Sequence, residues 1–174
     1  MVLVSLPFVA RAQVSTIAKP FQFGIAAGAA LPMDRLKDAT DMGFNVTGTI
    51  GFHPQLIPLG IRVDVAYNSF KIKDEFNIDG NVHFTSVTGN LVWSIPSTVV
   101  SPYFIGGAGL YNVGVDIPNL FGDSNNRFGF NIGGGIKMPL SGFDTFLEAR
   151  YNQVSGSNGS PSLKFIPITF GLMF

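Results

Sequence analysis

The chain has 174 residues, 46% of them hydrophobic and 13% charged, which is too apolar for disorder and short enough for one domain. Eleven basic residues balance eleven acidic ones, so no charge excess points to nucleic acid or another polyanion. Cysteine is absent, which removes disulfide frameworks and thiolate sites, and no run of eighteen apolar residues offers a membrane helix. The 21 Gly and 17 Phe, without long Lys/Glu-rich amphipathic stretches, favour many short strands over helices.

Met1 to Ala12 is apolar and closes on Ala10-Arg11-Ala12, a pattern that fits a small-residue cleavage site. Residues 1–12 therefore read as a signal-peptide remnant and 13–174 as the mature domain. The first strand runs from about Phe21 to Leu31, with Phe21, Phe23, Ile25, Ala27, Ala29 and Leu31 on one face and Gln22, Gly24, Ala26, Gly28 and Ala30 on the other. A charged connection, 32–43, leads to a second strand in which Phe44, Val46, Gly48, Ile50 and Phe52 alternate with Asn45, Thr47, Thr49 and Gly51. After a turn at 53–58, the third strand sets Ile61, Val63, Val65 and Tyr67 against Arg62, Asp64, Ala66 and Asn68.

A polar loop, 71–81, precedes the fourth strand, where Val87, Gly89, Leu91 and Trp93 oppose Ser86, Thr88 and Asn90. His83 and Phe84 fall out of phase there and predict a bulge. In the fifth strand the face assigned outward is Tyr103, Ile105, Gly107, Gly109, Tyr111 and Val113. The sixth places Phe128, Phe130, Ile132 and Ile136 opposite Asn131, Gly133, Gly135 and Lys137, and the seventh places Leu147, Ala149 and Tyr151 opposite Glu148, Arg150 and Asn152. The last strand ends the chain: Ile166, Ile168, Phe170, Leu172 and Phe174 share one large apolar face.

Eight strands with long loops alternating with short turns predict an all-β, eight-stranded antiparallel up-and-down barrel. Tyr-Asn pairs at 67–68, 111–112 and 151–152, spaced 44 and 40 residues apart, suggest one hairpin per repeat. With Trp93 and Tyr103, the residues Tyr67, Tyr111 and Tyr151 are the expected interfacial aromatic girdle. The other face is mostly Gly, Ala, Thr, Asn and Ser, with charges of both signs at Arg62, Asp64, Lys137, Glu148 and Arg150. Such a set suits a narrow lumen, where charges must pair, better than a solvated exterior rich in Lys and Glu. The transmembrane reading follows, because a closed barrel crosses a bilayer with every backbone group paired. A soluble lipocalin-like carrier has the same alternation with the opposite polarity.

The alternation, the segment Ser101-Pro102-Tyr103-Phe104-Ile105-Gly106-Gly107-Ala108-Gly109-Leu110, and the carboxyl end resemble the small eight-stranded bacterial outer-membrane barrels, the family that includes the OmpA transmembrane domain, OmpX and OmpW. The resemblance covers roughly Phe21 to Phe174. It implies an outer-membrane location, periplasmic termini, outer-membrane lipids as surroundings, and a carboxyl-terminal insertion signal, here Ile168, Phe170, Leu172 and Phe174, read by the barrel-insertion machinery. A full-length OmpA also carries a periplasmic peptidoglycan-binding domain; this chain stops at the barrel, which leaves cell-wall anchoring in doubt.

Catalysis is not expected. Nucleophilic chemistry needs Ser with a His base and an orienting acid, and neither His53 nor His83 has a motif around it. The acidic sets Asp34, Asp38, Asp41 and Asp74, Glu75, Asp79 lack the calcium-loop pattern, so no metal or other cofactor is called for. Phe76, Ile78, Leu120 and Phe121 are apolar loop residues that could contact another envelope protein. The expected role is structural or interactive, within a larger envelope complex or alone; a narrow channel for small or apolar solutes is the alternative.

Overall fold

A computed structural model describes residues 20–54, 57–76, 79–97, 99–116, 124–156 and 161–174. The expected signal segment, residues 1–12, lies outside these, as do Ile78, Leu120, Phe121 and the side chain of Phe76.

Alternation of apolar and small or polar residues produces eight strands: β1 (Phe21–Met33), β2 (Gly43–Phe52), β3 (Leu59–Lys71), β4 (Asn81–Ser94), β5 (Ser101–Asp116), β6 (Ser124–Pro139), β7 (Asp144–Val154) and β8 (Leu163–Met173). Each pairs antiparallel with the next, and β1 pairs with β8, so the sheet closes into a barrel. Closure extends to the last residue, where Phe174 N–H donates to Phe23 O at 2.7 Å and Phe23 N–H returns to Phe174 O at 3.0 Å. The strands are 10 to 16 residues long, whereas a tilted strand needs about 9–11 to cross hydrocarbon. Among the described residues no helix is long and apolar enough to cross a membrane; the strands supply the crossing.

The large apolar side chains face outward: Ile25 is 64% exposed, Ile132 62% and Leu110 61%. Inward face Asn45, Thr47, Arg62, Asp64, Asn90, Asn131 and Glu148, all buried. This polarity is the reverse of a soluble lipocalin-like barrel. One end of the barrel, the loop end, carries a six-residue helix α1 (Asp34–Ala39) and a 3-10 turn at Asp74–Phe76. The opposite, turn end carries the connections β2–β3, β4–β5 and β6–β7 and the carboxyl terminus.

Two sequence expectations are corrected. The fourth strand has no bulge: β3 and β4 pair residue for residue from Leu59↔Trp93 to Lys71↔Asn81, and β4 pairs equally regularly with β5. Phe84 is simply on the lumen face, in line with Ser86, Thr88 and Asn90, and fully buried. The fifth strand is inverted. Phe104, Ala108 and Leu110 face outward, while Tyr103, Ile105, Tyr111 and Val113 fill the interior. Tyr103 and Tyr111 therefore leave the expected girdle. The hydroxyls find acceptors inside, at Glu148 and Asn152, and moving the phase by one residue turns Phe104, Ala108 and Leu110 to lipid, with Asn112 at the loop end.

Candidate functional site

The lumen is filled in three layers. At the loop end Phe70, Phe84 and Phe165 meet with ring centroids 4.9 to 5.8 Å apart, packed with Ala30, Tyr111, Val113 and Val154. Leu36, one turn into α1, drops into the same cluster and is 4% exposed, so the helix caps the barrel. Its return is fastened by Thr40, whose hydroxyl donates to Leu36 O at 2.8 Å, and by Asp41 N–H to Lys71 O at 2.9 Å. At the turn end a second apolar layer contains Ala26, Tyr103, Ile105, Phe146 and Met173.

Between them lies a charge network. β3 and β7 are four strands apart either way round the closed barrel, so they face each other, and Arg62 spans the gap: its Nη2 donates to both Glu148 oxygens at 2.9 and 2.7 Å. Arg62 Nε reaches Asp64 Oδ2 at 3.2 Å, Arg150 Nη1 reaches the same oxygen at 2.7 Å, and Arg150 Nε donates to Glu148. Two cations and two anions thus close a ring. Tyr103 Oη donates to Glu148 at 2.7 Å, and Asn90 Nδ2 to Asp64 at 2.9 Å. Asn131 Nδ2 then donates to Asn90 Oδ1 at 2.9 Å, extending the network onto β6. The void left among these groups is about 20 Å³, with about 40 Å³ more at the turn end between Arg62, Tyr103, Phe146 and His53. Each has room for single waters.

Lys137 does not join this ring. It lies on the lumen side at the turn end, where its Nζ is 3.4 Å from Asp144. The polar groups that sequence reasoning missed are Tyr103, Tyr111, Asn90 and Asn131. Their signal was in the neighbouring strand: a Cβ on Gly135 would sit 2.6 Å from the Tyr103 ring, and one on Gly129 2.7 Å from the Tyr111 ring. Glycines on β6 make the space into which the β5 tyrosines lean.

Outside, Tyr67 is 39% exposed and Trp93 49%, on opposite rims. Tyr67 stands between Phe44 and His83 at the loop end, and Trp93 stacks on Phe104 at the turn end with centroids 5.9 Å apart. Tyr151, half-buried, points outward and donates to Gln153 at 2.9 Å. Ile168, Phe170, Leu172 and Phe174 all lie on the outer face of the closing strand. His53 and His83 stand at opposite ends. His83 Nδ1 is 3.2 Å from Asp116, and its Nε2 lies over Gly114. Among the described residues no group of three or more His, Asp or Glu is arranged to hold a metal.

Comparison with known proteins agrees with this geometry. The outer membrane protein beta-barrel domain family matches residues 1–174. The chain belongs to that family. A sequence search of characterised proteins gives no match. Solved structures share the fold of this family member: Neisserial surface protein A, at 17% identity and TM-score 0.71, covers 89% of this chain and 96% of its own. Ail, the attachment invasion locus protein of Yersinia pestis, solved with the heparin analogue sucrose octasulfate, matches at 19% identity and TM-score 0.53 over 90% and 100%. The outer membrane enzyme PagL matches at 14% identity and TM-score 0.53 over 88% and 98%. The fold is therefore shared by a surface protein, an attachment invasion locus protein and an enzyme, and the location is the bacterial outer membrane.

Proposed function

We propose that this protein is a sealed, non-enzymatic outer-membrane barrel with a structural or interaction role, its termini periplasmic and its loop end at the cell surface. The observation that carries the reading is the three-layered lumen. An ion entering from either end meets an apolar layer, and between the layers the charges are already paired with each other. The mixed-sign ring of Arg62, Asp64, Glu148 and Arg150 then fixes the barrel's cross-section rather than selecting a solute. Ile168, Phe170, Leu172 and Phe174 serve as the insertion signal for the barrel-insertion machinery, and envelope proteins are the partners to seek at the loops, with Phe76, Ile78, Leu120 and Phe121 as contacts.

His83 supports the non-enzymatic part. Ser69 is its direct cross-strand partner on β3 and Asp116 lies beside Nδ1, which brings the residue types of a catalytic triad onto one patch. Yet Nε2, the nitrogen that would take the Ser69 proton, lies over Gly114 on the opposite neighbour, β5. Planar-bilayer recording tests the sealed barrel: the purified protein is expected to leave the bilayer silent. Reproducible conductance steps that change on Arg62→Ala would overturn it in favour of a narrow channel. Loss of a lipid product on His83→Ala would overturn the non-enzymatic reading.

A further inference from the structure

A wide cavity lies outside the barrel. Beside α1, on the outer wall at the loop end, a groove of about 920 Å³ is lined by Leu31, Met33 and Ile166 below and by Arg35, Lys37 and Lys73 above. Small-molecule sites occupy roughly 300–1,000 Å³, so this groove has room for a ligand larger than water.

The floor is built by strand register. Leu31 pairs with Ile166 across the β1–β8 seam, and the same outward-facing row continues through Ala29↔Ile168, Ala27↔Phe170 and Ile25↔Leu172 toward the turn end. The groove floor is thus the upper end of a continuous apolar track on the lipid-facing wall. The wall above is built by α1. Because Leu36 must point into the lumen, its neighbours Arg35 and Lys37 are turned outward and stay exposed. Lys73 is held nearby by the strand-like contact in which its N–H donates to Ala39 O at 3.1 Å. Asp34 is neutralised by Lys164 at 2.8 Å. Of the other lining charges, Arg35, Lys37 and Lys73 outnumber Asp38 and Asp41 by one.

We infer that this groove binds one membrane lipid with a phosphate in its headgroup, the acyl chain lying on Leu31 and Ile166 and the phosphate held by Arg35, Lys37 and Lys73. The apolar track demands a chain, and its continuity with the lipid-facing wall lets that chain enter sideways from the bilayer. The cations line the same groove at the loop end of the track, and oxyanions are what guanidinium and ammonium groups recognise. The site does not depend on whether the lumen conducts.

The test uses the full chain in detergent, with dipalmitoyl phosphatidylglycerol or dipalmitoylglycerol as probe and native mass spectrometry as readout. One phosphatidylglycerol should stay on each barrel, with dipalmitoylglycerol retained at least tenfold less. Arg35→Gln/Lys37→Gln/Lys73→Gln should lose the adduct at least tenfold, and Lys137→Gln, at the other end, should keep it. Ile166→Trp fills the floor and leaves Arg35, Lys37 and Lys73 in place, so its loss of the adduct reports the apolar floor separately from the cations. Equal retention of both probes, an adduct number that never saturates, or a triple variant that binds like the parent would overturn the site.

Discussion

The middle and the loop end of the lumen fill the same cross-section by different physics. In the middle, the buried charges Arg62, Asp64 and Glu148 and the partly buried Arg150 hold because each has a partner. At the loop end Phe70, Phe84, Phe165 and Leu36 hold by contact area alone. The difference predicts different kinds of failure. A charge network punishes the loss of one partner more than the loss of a pair, whereas an aromatic layer is damaged in proportion to the volume removed.

Glu148→Gln should therefore be the most damaging single change. It leaves Arg62 and Arg150 sharing Asp64 and leaves the Tyr103 hydroxyl without its carboxylate, at a cost of about 3–5 kcal/mol. Urea unfolding from lipid vesicles, read by the fluorescence of the single tryptophan, Trp93 on the rim, gives the number. The double change Arg62→Met/Glu148→Leu removes both ends of one bridge and keeps the Arg150–Asp64 bond at 2.7 Å. It should cost less than Glu148→Gln alone. If the double variant is the sum of its singles, the charges do not act as a network.

Phe84→Ala comes next, at about 3 kcal/mol, the low end for a buried Phe, because α1 and Leu36 can settle into part of the space. The same unfolding curves measure it, and a cost shared equally by Leu36→Ala would show that the cap is as rigid as the strands. Gly135→Val tests the overlap between the two fillings. The new side chain would meet the Tyr103 ring, whose hydroxyl feeds the charge network, and about 1–3 kcal/mol should be lost to overpacking. Adding Tyr103→Ala to Gly135→Val should recover only the ring's share of that loss, because the Leu147 carbonyl oxygen still lies 2.5 Å from the new Cβ.

These two tyrosines show where the sequence was readable and where it was not. In β3 one face is Ile, Val, Val, Tyr and the other carries Arg and Asp, so chemistry alone decides which side meets lipid. In β5 both faces hold Gly and apolar residues, Tyr103 and Tyr111 on one and Phe104 and Leu110 on the other. Alternation is visible there but its phase is not. The phase is set by β6, whose inward glycines Gly129 and Gly135 leave the hollows the tyrosines occupy, and that relation exists only once the strands are in register. The charges of the network were legible as residues needing partners. That Lys137 lies one layer away, beside Asp144, depends on strand height, which no local pattern encodes. The cap was hidden for a simpler reason: α1 has six residues and a single buried one, Leu36, too little to show a helical period.

Lys137 supplies the smallest predicted effect and the cleanest test of the layering. Its bond to Asp144 is long and partly exposed, so Lys137→Gln should change stability by about 0.5 kcal/mol or less. It should nonetheless be felt by His53, at the turn end. Burial, and secondarily the nearby Lys137 charge, hold the His53 imidazole below its ordinary value of 6.5. The unfolded chain then takes up a proton first as pH falls, so the fold loses stability on descending through 6.5 until the folded imidazole also protonates. Removing Lys137 takes away the lesser cause and leaves the greater. The His53 titration, followed by NMR of the labelled ring, should move upward and stop short of the ordinary value. A titration that does not move places Lys137 too far away to be felt. One that returns all the way would mean that charge, not burial, governs this end of the lumen.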